Sequence, residues 1–120
     1  MTVKFGPPAR LISSPYLRCL QTLSPLAAQY QLEVERDDMV AEGQSSKAVH
    51  LVRDLAGGPT AVVCTHGDVI VEVLVALADE DRVDLGPNPR QAKGSVWVLE
   101  GADGKFTTAR YFPPVTANPT

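Results

Sequence analysis

Thr60-Ala61-Val62-Val63-Cys64-Thr65-His66-Gly67-Asp68-Val69-Ile70-Val71-Glu72 decides how the rest of the chain is read. An apolar run enters a polar turn at Thr65 to Asp68 and a second apolar run leaves it, the pattern of a strand, a turn and a helix. The first run, of β-branched and small residues, suits a strand buried on both faces. Val69, Val73, Leu74 and Leu77 recur at helical spacing. The turn places His66 at the carboxyl end of the strand. In open α/β sheets that edge receives ligands, and the helix beyond it offers free N–H groups and the positive end of its dipole to an anion. His66 is therefore the first candidate site residue.

Upstream, Gly6-Pro7-Pro8 marks Met1 to Ala9 as an irregular lead-in, and Arg10-Leu11-Ile12-Ser13 reads as a short strand. Ser14 suits an N-cap and Pro15 the first helical position, and Tyr16, Leu20, Leu23, Ala27 and Tyr30 then follow at helical offsets. Pro25 removes one backbone donor and crowds the carbonyl of Gln21, which predicts a kink or a fresh helical start. Leu32-Glu33-Val34-Glu35 alternates apolar with acidic, as a half-buried edge strand does, and Arg36 to Gln44 reads as a loop. Ala48, Val49, Val52, Leu55 and Ala56 mark one face of a helix that starts at Ser45 or Ser46 and stops at Gly57-Gly58-Pro59.

Downstream, the helix after His66 is expected to reach about Ala78. Asp79 to Gly94, broken by Gly86-Pro87-Asn88-Pro89, reads as a long loop placed to cover a site; its Arg90 and Lys93 read as solvated charges. Ser95 to Glu100 and Phe106 to Phe112 are β-rich runs, joined by Gly101-Ala102-Asp103-Gly104 as a hairpin. The order predicts an α/β fold: a mostly parallel sheet with helices on both faces and a C-terminal antiparallel hairpin. Residues 1–112 form a single domain on this reading, and 113–120 a flexible tail.

The 120 residues suffice for one small core, and 44% hydrophobic with 21% charged residues is the balance of a soluble globular chain. A net charge of −3 without any Lys/Arg-rich run argues against a nucleic-acid partner or an anionic membrane surface. With neither a leader pattern nor an apolar span in view, a cytoplasmic location is expected. Cys19 and Cys64 lack Cys or His at ligand spacing, so neither a disulfide framework nor a metal site is expected. A thiol-based phosphatase needs Arg six residues after its Cys, where this chain has Pro25 and Ile70. Both thiols read as buried, reduced and inert.

Two polar segments at strand ends are expected to meet: Ser13 to Arg18 after the first strand and Thr65 to Gly67 after the third. Arg18 in a first helical turn, an imidazole and a helix N-terminus together suit a phosphate. Ser13 and Asp68 lie near this pocket and read as capping residues.

Ser13-Ser14-Pro15 with Arg18 and Gln21-Thr22, then Glu42-Gly43, then Val63 to Gly67 ending in His-Gly, resembles the histidine phosphatase superfamily. This is the phosphoglycerate mutase-like fold, and the likeness is to its small bacterial phosphohistidine phosphatase branch, over about Arg10 to Phe112. The resemblance implies that Arg18 binds the phosphoryl group and that Glu42 exchanges a proton with the leaving group. It implies that His66 binds and stabilises the transferring phosphoryl. It implies no metal or other cofactor, and a phosphorylated small molecule or phosphoprotein as partner.

The family's nucleophile is a His in an Arg-His-Gly motif that precedes the Ser-Ser-Pro segment, and this sequence holds no His before Ser13. His66 follows Thr65, so the Arg of that motif is absent there too, and His50 falls inside a predicted helix with no role assigned. Lacking its nucleophile, the chain alone is expected to be inactive or nearly so. The alternative is a non-catalytic module of the same fold that binds a phosphorylated ligand. The resemblance also implies that the family's first, central strand is missing, so the third strand and the hairpin must either pair directly or leave open edges. A second protomer, an upstream segment or a separate chain would then complete the sheet.

Overall fold

Three short parallel strands, β1 (Arg10–Ser13), β2 (Val34–Arg36) and β3 (Ala61–Cys64), form a sheet in the order β2-β1-β3. The computed structural model describes residues 7–86 and 95–113. Leu11 and Ile12, neighbours whose side chains leave opposite faces of β1, are both buried, so each face of the sheet is covered. On one side lies α1 (Leu17–Tyr30), in contact with all three strands and burying Cys19 and Leu23. On the other, α2 (Ser45–Leu55) and α3 (Gly67–Asp81) pack together, and Ile12, Val40, Ala48, Leu51, Val69, Val73, Leu77 and Phe106 share one core. The α/β architecture expected from the sequence is the one observed.

Several boundaries differ for identifiable reasons. Ser14 does not cap α1: Tyr16 holds the N-cap position without a side-chain bond, because the Ser14 hydroxyl is engaged with His66. The helix runs through Pro25 without a second start. A proline removes only one donor, and the packing of Cys19 and Leu23 holds the flanking turns. The segment read as loop between β2 and α2 contains a 3-10 turn, Asp38–Val40, whose first turn is capped by Asp37 accepting from the Met39 N–H at 2.9 Å. Val40 is fully buried there and anchors the loop to the core. α3 continues past Ala78 to Asp81, its acidic last turn stabilised by Arg53 from α2.

β4 (Val96–Ala102) and β5 (Lys105–Phe112) form their own antiparallel sheet. They do not pair with β3, so the described strands do not close up, and β3 keeps an open outer edge among the described residues. Phe106 enters the shared core with Leu99 and Ala109 packed against it, and a charged network fastens the hairpin beside them. Arg53 donates to Asp81 at 2.7 Å, to the Gly104 carbonyl at 2.9 Å and to Glu80 at 2.8 Å, and the Phe106 N–H donates to Asp81 at 2.8 Å. The Asp81 side chain is only 4% exposed, and the guanidinium beside it holds its carboxyl below the usual carboxylate range, with the Phe106 N–H adding to the effect.

The hairpin turn is two residues, Asp103-Gly104, both at positive φ (55° and 76°), so β4 extends through Gly101 and Ala102, which had read as part of the turn. Gly101 lies beside the register shift of this ladder. A Cβ there would stand 2.0 Å from the Lys105 carbonyl oxygen and 2.6 Å from the Phe106 Cα, both backbone atoms. Gly101→Ala is therefore expected to destabilise the protein by roughly 1–3 kcal/mol, read as a lowered urea midpoint. Several sequence expectations lie outside the described residues: the first six residues of the lead-in, the loop at 87–94 with Arg90 and Lys93, and the tail from 114. Among the described residues no helix is long and apolar enough to cross a membrane.

Candidate functional site

Strand register decides which side chains meet. Ser13 pairs with Arg36 on one side and with Cys64 on the other, so all three parallel strands end at one level. The segments that follow, Ser14 to Arg18, Asp37 to Gly43 and Thr65 to Asp68, emerge side by side. Backbone bonds fasten them: Ser14 N–H to the Cys64 carbonyl at 3.0 Å, and Asp37 N–H to the Ser13 carbonyl at 2.9 Å.

His66, at the N-cap of α3 and only 6% exposed, is the centre of the cluster. Its Nε2 lies 2.7 Å from Ser14 Oγ, and its Nδ1 lies 3.3 Å from Arg18 Nη2. The Tyr16 ring meets the imidazole edge to face, with centroids 4.6 Å apart, and the Arg18 guanidinium lies 5.8 Å from the Tyr16 centroid. Glu42 Oε1 is 3.8 Å from Arg18 Nη2. The Arg18 side chain is 71% exposed, and an exposed pair at that distance contributes at most about 1 kcal/mol. The guanidinium is therefore free to turn to an incoming anion without a large loss.

Glu42 owes its place to the loop. Val40 is buried beneath it, Thr65 Oγ1 donates to the Val40 carbonyl, and the Gly43 N–H donates to Asp68 Oδ2 at 3.3 Å. Gly43 takes a φ of +80°, a left-handed turn that lets the chain pass from Glu42 into α2. Asp68 thus clasps the loop to the first turn of α3, where a carboxylate also suits the helix dipole.

Arg18, Glu42 and His66, the three candidates from sequence, are brought together. His50 is not among them and lines a separate groove between α2 and α3 with Arg53 and Glu72. Ser14 and Tyr16 belong to the cluster, although the sequence suggested a cap for one and a helix-face residue for the other. No local signal marks them, because the partner that engages both is His66, some fifty positions away. Ser13 is fully buried, and its hydroxyl donates to the Ser14 carbonyl at 2.8 Å. Burial, aided by neighbouring Cys19, pushes the Cys64 thiol up to about 12, so it stays protonated near neutral pH. Among the described residues no three of His, Cys, Asp and Glu come together as a metal site.

Chemically, the cluster is an anion-receptive edge of an open α/β sheet: an exposed guanidinium, a buried imidazole, a helix N-terminus and a carboxylate within reach of the cation. No protein-family model matches the chain. The chain is similar to the 8-oxo-(d)GTP phosphatase of Mycolicibacterium smegmatis, at 28% identity over 109 residues, which are 87% of this chain and 34% of that protein. It thus spans about a third of that relative's length.

Proposed function

We propose that this chain is a phosphohydrolase domain of the histidine phosphatase type that carries the phosphoryl-binding part of an active site but not its nucleophile. The convergence of Arg18, Glu42 and His66 at one sheet edge supports this reading above all. The phosphatase name of the relative supports phosphoryl chemistry in general. Phosphoryl transfer spreads negative charge over the transferring oxygens and needs the leaving oxygen protonated. Arg18 and His66 meet the first need. Glu42, held 3.8 Å from Arg18, is placed for the second.

Neither Cys64, held protonated by burial, nor His66, whose Nε2 is engaged with Ser14 Oγ, is read as the nucleophile. On this reading a phosphate monoester or phosphoprotein is bound, and turnover requires a nucleophile from another segment or a second protomer, whose strand would pair with the open edge of β3. A cytoplasmic setting belongs to the same proposal and suits the two free thiols. The second reading, a binding module without catalysis, is favoured by the same lack of a nucleophile.

Turnover of p-nitrophenyl phosphate separates the two. The chain alone is expected to show none, while an N-terminal segment carrying Arg-His-Gly, fused or supplied in trans, is expected to restore it. Turnover by the chain alone that disappears in His66→Ala would make His66 the nucleophile and overturn the proposal. Vanadate binding with no turnover in either form would establish the module.

A further inference from the structure

We propose that Tyr16 is a ligand-contacting residue that selects an aromatic leaving group, so that the compound this edge takes is an aryl phosphate. The inference rests on the phosphoryl-binding reading and adds to it the chemistry of the group esterified to the phosphoryl. Tyr16 and Leu17 are consecutive, large and apolar, yet 44% and 68% exposed. Tyr16 holds the N-cap position of α1, and Leu17 opens the helix directly before Arg18. The Tyr16 ring touches both groups assigned to the phosphoryl. Its centroid lies 4.6 Å from that of the His66 imidazole, at 65° to it, and 5.8 Å from the guanidinium carbon of Arg18.

A phosphoryl group held by Arg18 and His66 therefore lies beside this ring, and so does whatever is bonded to it. A side chain that served only to screen His66 could be aliphatic. A half-exposed ring instead presents π surface at the rim of a charged site, the combination of aromatic wall and few convergent polar groups that small-molecule sites use. In the free protein the guanidinium stands over that ring. Once it turns to the anion, the ring is left to the leaving group. An aromatic leaving group gains an offset or edge-to-face contact there beyond the area it buries, whereas an aliphatic group of the same size gains the area alone. Because Tyr16 is in direct contact with His66, the ring it favours is one attached to the ester oxygen itself.

Titration calorimetry with benzylphosphonate and cyclohexylmethylphosphonate tests this, since a methylene in place of the ester oxygen keeps both from hydrolysis and the two differ only in aromaticity. The parent is expected to bind the benzyl compound about three- to tenfold more tightly than the cyclohexyl one. Tyr16→Phe should keep that ratio, and Tyr16→Leu should bring it to about one while both compounds still bind. Leu17→Ala, which removes apolar surface but no ring, should leave it unchanged. A ratio near one in the parent, a ratio retained in Tyr16→Leu, or one lost in Leu17→Ala overturns the proposal. If Tyr16→Leu loses all binding, intermolecular NOEs in the parent decide: contacts between the benzyl ring and the Tyr16 ring support the assignment, and their absence with ligand bound overturns it. Inorganic phosphate keeps the two readings apart. Phosphate binding with a ratio near one removes only the aryl preference, whereas a parent that binds neither phosphate nor either phosphonate removes the phosphoryl reading and the preference with it.

Discussion

Arg18→Ala is expected to weaken binding of inorganic phosphate or vanadate by roughly 10- to 100-fold in titration calorimetry while leaving the urea midpoint unchanged. The affinity loss follows from removing one or two charge-assisted hydrogen bonds, each contributing about 1.5–3 kcal/mol. Stability is spared because the side chain is largely exposed and its pair with Glu42 is loose. Arg18→Lys should recover only part of the affinity, since an ammonium cannot present the planar fork of a guanidinium. Unchanged phosphate affinity in Arg18→Ala would falsify the assignment of this edge as a phosphoryl site.

The second large effect is on stability. Arg53→Ala should cost roughly 3 kcal/mol, at the lower end for removing one partner of a buried pair because the Arg53 side chain is 18% exposed. In a chain of this size that lowers the melting temperature by on the order of 10 °C. The variant leaves Asp81 buried with the Phe106 N–H as its remaining donor in the network, and it frees the Gly104 carbonyl. The hairpin has no strand bond to the parallel sheet, so its dispersion in amide exchange should fall with the rest of the fold. The same network sets an acid limit. The carboxyl of Asp81 is held below its ordinary value in the folded protein, so its contribution is fully present above the unfolded-state value, about 4. It is lost as pH falls below 4 through the folded-state value. In Asp81→Asn that part of the acid destabilisation should vanish, which urea titrations between pH 5 and about 3 would read. Glu35 is lowered too, by Arg10, but that pair is exposed and adds little to the same transition.

The sequence by itself determined the elements and the polarity of the site. Period-two and helical spacing placed β1 and α2 within a residue or so and located the strand before His66, although β3, expected to be buried on both faces, is only half-buried because it lies at the edge of the sheet. Arg18 and His66 could be picked out because each sits just past a strand end and at a helix start, where backbone donors are free, whereas Glu42 came only from the family resemblance.

Tertiary structure alone decided three further matters. The equal level of the strand ends, set by the pairing of Ser13 with Arg36 and Cys64, brings Glu42 to Arg18. The hydroxyl of Ser14 turns from a helix cap to a histidine anchor because the imidazole of His66 arrives from a distant part of the chain. Docking of the hairpin through Arg53 and Asp81, instead of through a strand ladder, has the same origin. A local pattern records which face of an element is apolar. It does not record which polar atoms from distant positions share a buried space, and there the need to satisfy every donor and acceptor decides the partners.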